Sequence, residues 1–538
     1  MDKPQDSTSL PEKPLVRGLS LVLVACVVLF LCVTSATTVL TTTRLVNYTE
    51  TMAIDTTSWL VAVVGLLAFL AAAVVLVKTG GAERLDTKKL KLALAAYAAV
   101  LGFAWAFLIA RSWPEFDSRD VLNIGTGVLL DSNSGFFNNG GYAQRFPFQL
   151  PYIYLALVCR LLSFKHAYEA LELINVIFTA WMFYLIPTLA EEYFGKKQVT
   201  VLACLLCLFF FAAIFNTTFV YPNAMSLALS LNAFVYQSSA IKERSIKKGI
   251  FSTVSMMLAY LFKSSMMLAL AALIVSWVMQ ALKSWRPKPL LGLVSLVAAV
   301  LVAQGVIAVL GYIGPKMSTS DGVPKSAWVV MGLNGDAAQN PGWYNGYVWQ
   351  YAGEGYTPES YNEEAPKLIR ERMSEFLADP GLAWTFFSTK YCDEWSEPTH
   401  EAILASNWSI SGDASQRPAM AERDMSDLAR EVYYGPTNTI FINVMDALQS
   451  VIMVYALVWV VRNWRRISAS QFAPLLCAAG TGLFYLVWES KSQYTLHAYA
   501  MLIPFAAAGL YVICERLLKL KRSKAEPGLC PQTLGADN

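Results

Sequence analysis

Three carboxylates, Glu115, Asp117 and Asp120, follow directly on an apolar run that ends at Ala110. A carboxylate held near a hydroxyl can take its proton as that hydroxyl attacks, so each is a candidate general base. At about 1.5 Å per residue, a continuing helix carries Asp117 roughly two turns beyond the hydrocarbon. Lys263, in YLFKSSMM, supplies the opposite charge between two short apolar runs. A bare ammonium there is costly, so it snorkels or pairs with an anion such as a lipid phosphate, for which Lys is a suitable point-charge ligand. A third polar piece, WESKSQYTLHAY at 488 to 499, puts Glu489, Lys491, Gln493 and Tyr494 at the end of a span. Gln493 and His497 share a helical face there if the last span begins at this point. Taken singly, a solvated loop or an interfacial belt of Trp and Tyr would explain each piece.

The elements that must hold these residues are helices in a bilayer. Of 538 residues, 55% are hydrophobic and only 15% charged, and mean hydropathy is +0.43. Soluble domains carry roughly 25% charged residues, so this is an all-α polytopic membrane protein. A net charge of +3 is too small and too scattered to imply nucleic acid; the basic residues read as topology signals. Cys392 is the one cysteine of nine in the large polar region, so neither a disulfide framework nor a Cys-based metal site is indicated, and His166, His400 and His497 match no zinc spacing. No GxGxxG or Walker loop appears, and no cofactor is expected.

Apolar runs predict about twelve spans: 15–40, 59–77, 90–110, 167–189, 201–215, 222–240, 250–262, 265–282, 290–313, 437–461, 471–488 and 496–514. Pro151 to Phe164 is apolar for fourteen residues, short of the roughly 17 to 25 needed to cross, and reads as a juxtamembrane or re-entrant helix. Basic segments at 78–91, 242–248, 283–288, 462–466 and 519–524 mark the cytoplasmic side. Both termini then lie inside, and Arg111 to Leu150, the Lys263 corner and Glu489 to His497 converge outside. The chain divides into a cytoplasmic tail at 1–14, two accessory spans at 15–88, a core at 89–313 with its first external loop at 111–166, a small, mostly helical extracytoplasmic insertion at 314–436, three last spans within 437–516, and a tail at 517–538. Within the insertion, Pro366 to Ala378 has the spacing of an amphipathic helix stopped by Pro380. The insertion also holds aromatics among Gly and Asn, MGLNGDAAQNPGWYNGYVW, and a dense polar segment, KYCDEWSEPTH.

Three motifs in this order resemble the GT-C class of integral-membrane glycosyltransferases, of the protein mannosyltransferase and aminoarabinose transferase type found in bacterial cell envelopes. PEFDSRD followed by RFPFQLPY resembles the first external loop of that class, LFKSS its KxP-like corner, and WESKSQY its ExxxRY segment. MGL with PGWYN, and WSEPT, are similar to Gram-positive envelope members. The resemblance covers roughly Leu90 to Cys514. It implies that Asp117 deprotonates an acceptor hydroxyl, and that Lys263, helped by Arg145, binds the phosphate of a polyprenyl-phosphate sugar donor. Glu489 and Gln493 line the same cavity, with Asp120, Gln149, Tyr494 and His497. Gln493 stands where the class often has Arg, which moves phosphate binding toward Lys491. Some members use a divalent metal, and with Asp117 and Asp120 near each other one is possible here, but no ligand set is evident.

The implied activity is inverting transfer of a sugar to an extracytoplasmic acceptor, an envelope polymer, protein or lipid. A surface-polysaccharide polymerase or ligase would have a similar span count, but leans on Arg and His in its outer loop, whereas the signal here is an early acid. A transporter or flippase of lipid-linked sugars would call for charges at span centres and inverted repeats, and the spans show neither.

Overall fold

The computed structural model describes residues 14–46, 50–56, 58–130, 140–284, 287–313, 318–351, 357–405, 423 and 425–525. Of the expected tails, 1–13 and 526–538 lie outside the described residues, while 517–525 continues the last helix, Leu496–Ala525. Among the described residues nine helices are long and apolar enough to cross a bilayer, and Lys197–Cys207 with Phe211–Thr218, bent by 55°, makes a tenth if the pair is one span. Val294, Val297, Leu301 and Val309, along Pro287–Ile313, stay exposed, as on a helix facing lipid.

The two other expected spans are helices of a different kind. Asn223–Glu243 is long enough, but it buries Asn223, Ser226, Ser230, Gln237, Ser238 and Ser239. Those groups need protein partners, and the helix is lodged between Ala167–Phe194 and Ile246–Phe262. Gln237 donates to the Leu273 carbonyl at 3.2 Å and Ser252 to that of Ala233 at 2.8 Å. Ile246–Phe262 has 17 residues and ends at the Lys263 corner. Acids do sit inside spans: Asp446 in Pro436–Arg466 accepts from Thr42 Oγ1 at 2.8 Å, and Glu172 lies buried in Ala167–Phe194.

An all-α reading misses one element. Thr42–Val46 and Thr51–Asp55 pair antiparallel, with Thr42 opposite Asp55 and Val46 opposite Thr51, between the first two spans. The β-branched Thr42, Thr43, Val46, Thr51 and Ile54 suit an extended backbone. The Thr43 amide ties the hairpin to the Ser396 carbonyl at 2.9 Å.

The third span changes from α to π geometry over Ala104–Ala110 and stops at Arg111, whose φ is 46°. The chain then turns into Phe116–Leu130, which carries Asp117 in its first turn. Behind it lies the 13-residue helix Leu150–Leu162. A Cβ on Gly125 would come within 3.3 Å of the Leu157 amide, so glycine permits this close crossing. In the insertion, the expected Pro366–Ala378 helix begins earlier, as Pro358–Ala378, with a proline preset for the first turn, and Asp379 caps the next helix, Pro380–Trp395.

The insertion does not stay outside the bundle. From Asp393 to Leu404 every residue is buried. Trp395 meets Phe30 edge-on at 5.0 Å, and Tyr391 shares a 2.6 Å hydrogen bond with Thr34, both partners lying in the first span. The far end of the insertion is pinned by a buried ion pair: Arg423 Nη2 lies 2.8 Å from Glu172 Oε2, and the Arg423 carbonyl accepts from Trp113 Nε1 at 2.7 Å. Arg423→Ala strands Glu172 at zero exposure, which costs about 3–5 kcal/mol. The purified protein should therefore melt several degrees lower than one in which Arg423→Met and Glu172→Leu remove both charges; equal melting would show that the pair bears no load.

Candidate functional site

Asp117, Lys263, Glu489 and Lys491, scattered over 375 positions of sequence, come together in one polar recess. Asp117, Lys263, Tyr221, Gln493 and Tyr494 keep part of their surface open, over the buried Tyr142, Gln149, Asn223, Glu489 and Lys491. The Tyr142 hydroxyl donates to Asp117 Oδ1 at 3.1 Å. Burial raises the Asp117 pKa, and the Tyr142 hydrogen bond and the charges of Lys491 and Lys263 pull it back. Burial also keeps Tyr142 protonated and therefore a donor. One turn on, Asp120 is pushed up to about 6, by burial first and then by Asp117's charge, and Arg119 lies 3.9 Å away.

Lys263 caps the Ile246–Phe262 helix and donates to Asn223 Oδ1. Its ammonium lies 5.2 Å from the Tyr221 ring and 5.8 Å from that of Tyr494, both faces able to carry a cation. Gln149 donates to the Tyr221 hydroxyl and so fixes that ring. Burial lowers the Lys263 pKa to about 8, against the opposing charges of Asp117, Glu489 and Glu401.

The Glu489 to Lys491 turn is held by the insertion. Glu489 N–H donates to the Trp328 carbonyl at 2.9 Å and Ser490 N–H to that of Gly342 at 3.0 Å. A Cβ on Gly332 would lie 2.2 Å from the Trp488 carbonyl carbon, and Gly342, with φ +70°, leaves room for the Lys390 ammonium. Lys390 is fully buried and donates to the carbonyls of Gly332, Leu486 and Trp488 at 2.5, 3.1 and 2.8 Å. Burial brings its pKa down to about 7. Glu489 accepts from the Tyr494 hydroxyl at 3.2 Å, and burial lifts its carboxyl to about 7.

Lys491 reaches a residue that sequence reasoning did not select, Glu50 at the hairpin, with Nζ 2.5 Å from Glu50 Oε1. Trp343 Nε1 holds the other oxygen of Glu50 at 2.7 Å, and the rings of Trp343 and Tyr344 each stand 5.6 Å from the ammonium. Burial alone would lower the Lys491 pKa; the carboxylates of Glu50, Glu401 and Glu489 outweigh it and raise the value. One signal for Glu50 existed: span alternation puts the 41–58 segment on the same side as Asp117.

Two predicted residues point elsewhere. Arg145 has no exposed surface: its guanidinium donates to the carbonyls of Gly140, at 2.6 Å, and Val348 and to the Tyr361 hydroxyl at 2.9 Å, which makes it a clamp between the first external loop and the insertion. His497 Nε2 bonds Thr481 Oγ1 at 3.0 Å. It does not share a face with Gln493, because the helix begins at Leu496 and Gln493 lies in the preceding 3-10 turn, Ser492–Thr495. Among the described residues no three His, Cys, Asp or Glu side chains converge as a metal would require.

No protein-family model and no curated protein sequence matches this chain. Among solved structures it is similar to the apo crystal structure of the oligosaccharyltransferase of Archaeoglobus fulgidus, with a TM-score of 0.40 and 14% identity over 82% of this chain and 53% of that one. The chain thus spans about half the length of the structure it matches, and identity that low assigns no residue a role.

Because the Gly332 backbone lies against Trp488, Gly332→Ala must push the Glu489 turn aside. Overpacking of this kind costs about 1–3 kcal/mol. A lowered melting temperature and altered tryptophan fluorescence from Trp328 and Trp488 are expected; an unchanged spectrum and melting curve would show that the contact is slack.

Proposed function

We propose that this chain is a membrane glycosyltransferase of the GT-C class, moving a sugar from a polyprenyl-phosphate donor to an acceptor hydroxyl at the outer face of a bacterial cell membrane. The observation that supports it is a partly open carboxylate, Asp117, oriented by Tyr142 and sharing a recess with the ammonium of Lys263. Asp117 takes the proton of the acceptor hydroxyl as its oxygen attacks the anomeric carbon. The bond from that carbon to the phosphate oxygen breaks with inversion, and the electron pair leaves on polyprenyl phosphate. Lys263, and Lys491 once Glu50 lets it go, stabilise the departing charge; preorganised cations do this well where water is scarce. A raised pKa makes Asp117 a stronger base than a solvated aspartate, and an arriving phosphate restores the charge that burial takes from Lys263. The exposed ring of Tyr344 beside this turn suits a sugar. Both termini are cytoplasmic in this reading.

Asp117→Asn should lower kcat about 10²–10⁴-fold, the usual contribution of a general base, with expression and melting unchanged. Normal transfer by membranes carrying that variant would remove Asp117 from the chemistry. Lys263→Ala deletes a charge-assisted contact of about 1.5–3 kcal/mol and should raise the donor KM by one to two powers of ten. The pH profile of kcat/KM reports the free enzyme. Asp117 must be ionised, so the profile falls on the acid side through its raised pKa. Lys263 must be protonated, so it falls again as pH rises past about 8, and Lys263→Arg should move that alkaline limb upward. An alkaline limb that stays in place in Lys263→Arg would assign it to another group.

A further inference from the structure

We propose that Glu401 is a positioning residue for Lys263, acting through the side-chain amides of Gln493 and Asn223. The proposal rests on the reading of Lys263 as the ligand of the donor's phosphate. Glu401 is fully buried in the segment that dips into the bundle, and its Oε2 accepts from Gln493 Nε2 at 3.3 Å. Gln493 Oε1 accepts from Asn223 Nδ2 at 3.4 Å, and Asn223 Oδ1 accepts from the Lys263 ammonium. Each link has one direction. Because Glu401 presents an acceptor, the Gln493 amide must turn its nitrogen toward it and its oxygen toward Asn223. Asn223 then has its own oxygen left for Lys263. Without an acceptor at 401 both amides are free to flip, and a flipped Asn223 would set its NH₂ against the ammonium, donor against donor.

The segment is built to hold Glu401 in this place. His400 and Glu401 both adopt left-handed backbone conformations, with φ of 49° and 55°, which are costly for residues with side chains. That turn is locked from several directions. Glu397 Oε2 accepts from the Glu401 amide and from Ser492 Oγ, each at 2.8 Å, and His400 Nδ1 pairs with Thr495 Oγ1 at 3.0 Å. Ser492 and Thr495 flank Gln493 in the same 3-10 turn, so the segment that carries Glu401 also fixes the backbone of the residue it orients. Burial lifts the Glu401 carboxyl to about 8. When the carboxyl is protonated, a proton on Oε1, which lies 3.5 Å from Ser492 Oγ, leaves Oε2 free to accept from Gln493, and the carbonyl of a glutamine can do the same work.

The test uses the full chain, purified in detergent, with two readouts. Brief acetic anhydride labelling read by mass spectrometry reports how firmly the Lys263 amine is held, with the exposed Lys165 as internal reference. Steady-state kinetics with a polyprenyl-phosphate sugar separates KM from kcat. Glu401→Leu should label Lys263 several-fold faster, leave Lys165 unchanged, and raise the donor KM about tenfold, as expected for one disoriented charge-assisted bond. Glu401→Gln keeps an acceptor and should stay close to wild type in both. Unchanged labelling and KM in Glu401→Leu would overturn the proposal, and so would a Glu401→Gln variant that behaves like Glu401→Leu. Should Glu401→Leu not accumulate as folded protein, Glu401→Asp, one methylene short of Gln493, takes its place with the same expected result. If labelling responds as described while wild type uses no lipid-linked sugar, the coupling stands and the reading of Lys263 as a donor ligand falls.

Discussion

The interior of a membrane protein offers buried charge almost no water, so every ionised group there must find its partner in protein. That constraint organises this molecule. Glu172 and Arg423 satisfy each other and nail the end of the insertion to the loop before Asp117. Glu50 answers Lys491, Tyr494 answers Glu489, and Tyr142 answers Asp117. In the recess, the direct partners of Lys263 are the neutral Asn223 oxygen and two aromatic faces rather than a carboxylate. A recess in which several acids and two lysines all shift away from their usual pKa values is where an anionic ligand gains most from binding, and where proton transfer is easiest to arrange.

The segments outside the principal bundle supply much of this recess. The hairpin between the first two spans delivers Glu50, so helices that look accessory in sequence bring a charged group to the centre. The insertion cradles the Glu489 turn through glycine contacts at 332 and 342, with Lys390 beneath it, and then returns into the bundle to place Glu401 behind Gln493. The polar pieces on three distant stretches of chain are thereby referred to one rigid frame.

Legibility in the sequence followed from how local each signal was. Asp117, Lys263, Glu489 and Lys491 are charges abutting apolar runs, and hydropathy alone places such residues near a membrane surface. Arg145 and His497 have the same credentials, yet one clamps backbone carbonyls and the other turns to Thr481, because composition gives a side chain's polarity but not its direction. Asn223 lies inside a run expected to span and carries no signal of its own; its role comes from Lys263 on one side and Gln493 on the other. Glu401 and Glu50 carry no spacing relation to the rest, since their partners are 92 and 441 residues away. The short hairpin at 42–55 is overshadowed by the long apolar runs on both sides.

By itself the sequence determined that this is a helical, multiply spanning membrane protein, where most spans begin and end, and that an early acid and a later lysine are exceptional in their surroundings. These are properties of single segments, set by the cost of placing each residue in lipid or water. Only the tertiary structure decided that the insertion re-enters the bundle, that Glu50 and Glu401 belong to the recess, and which amide faces which charge. Those outcomes depend on pairing groups far apart in the chain, and the energy of such a pair exists only once packing has excluded water and left each partner no alternative.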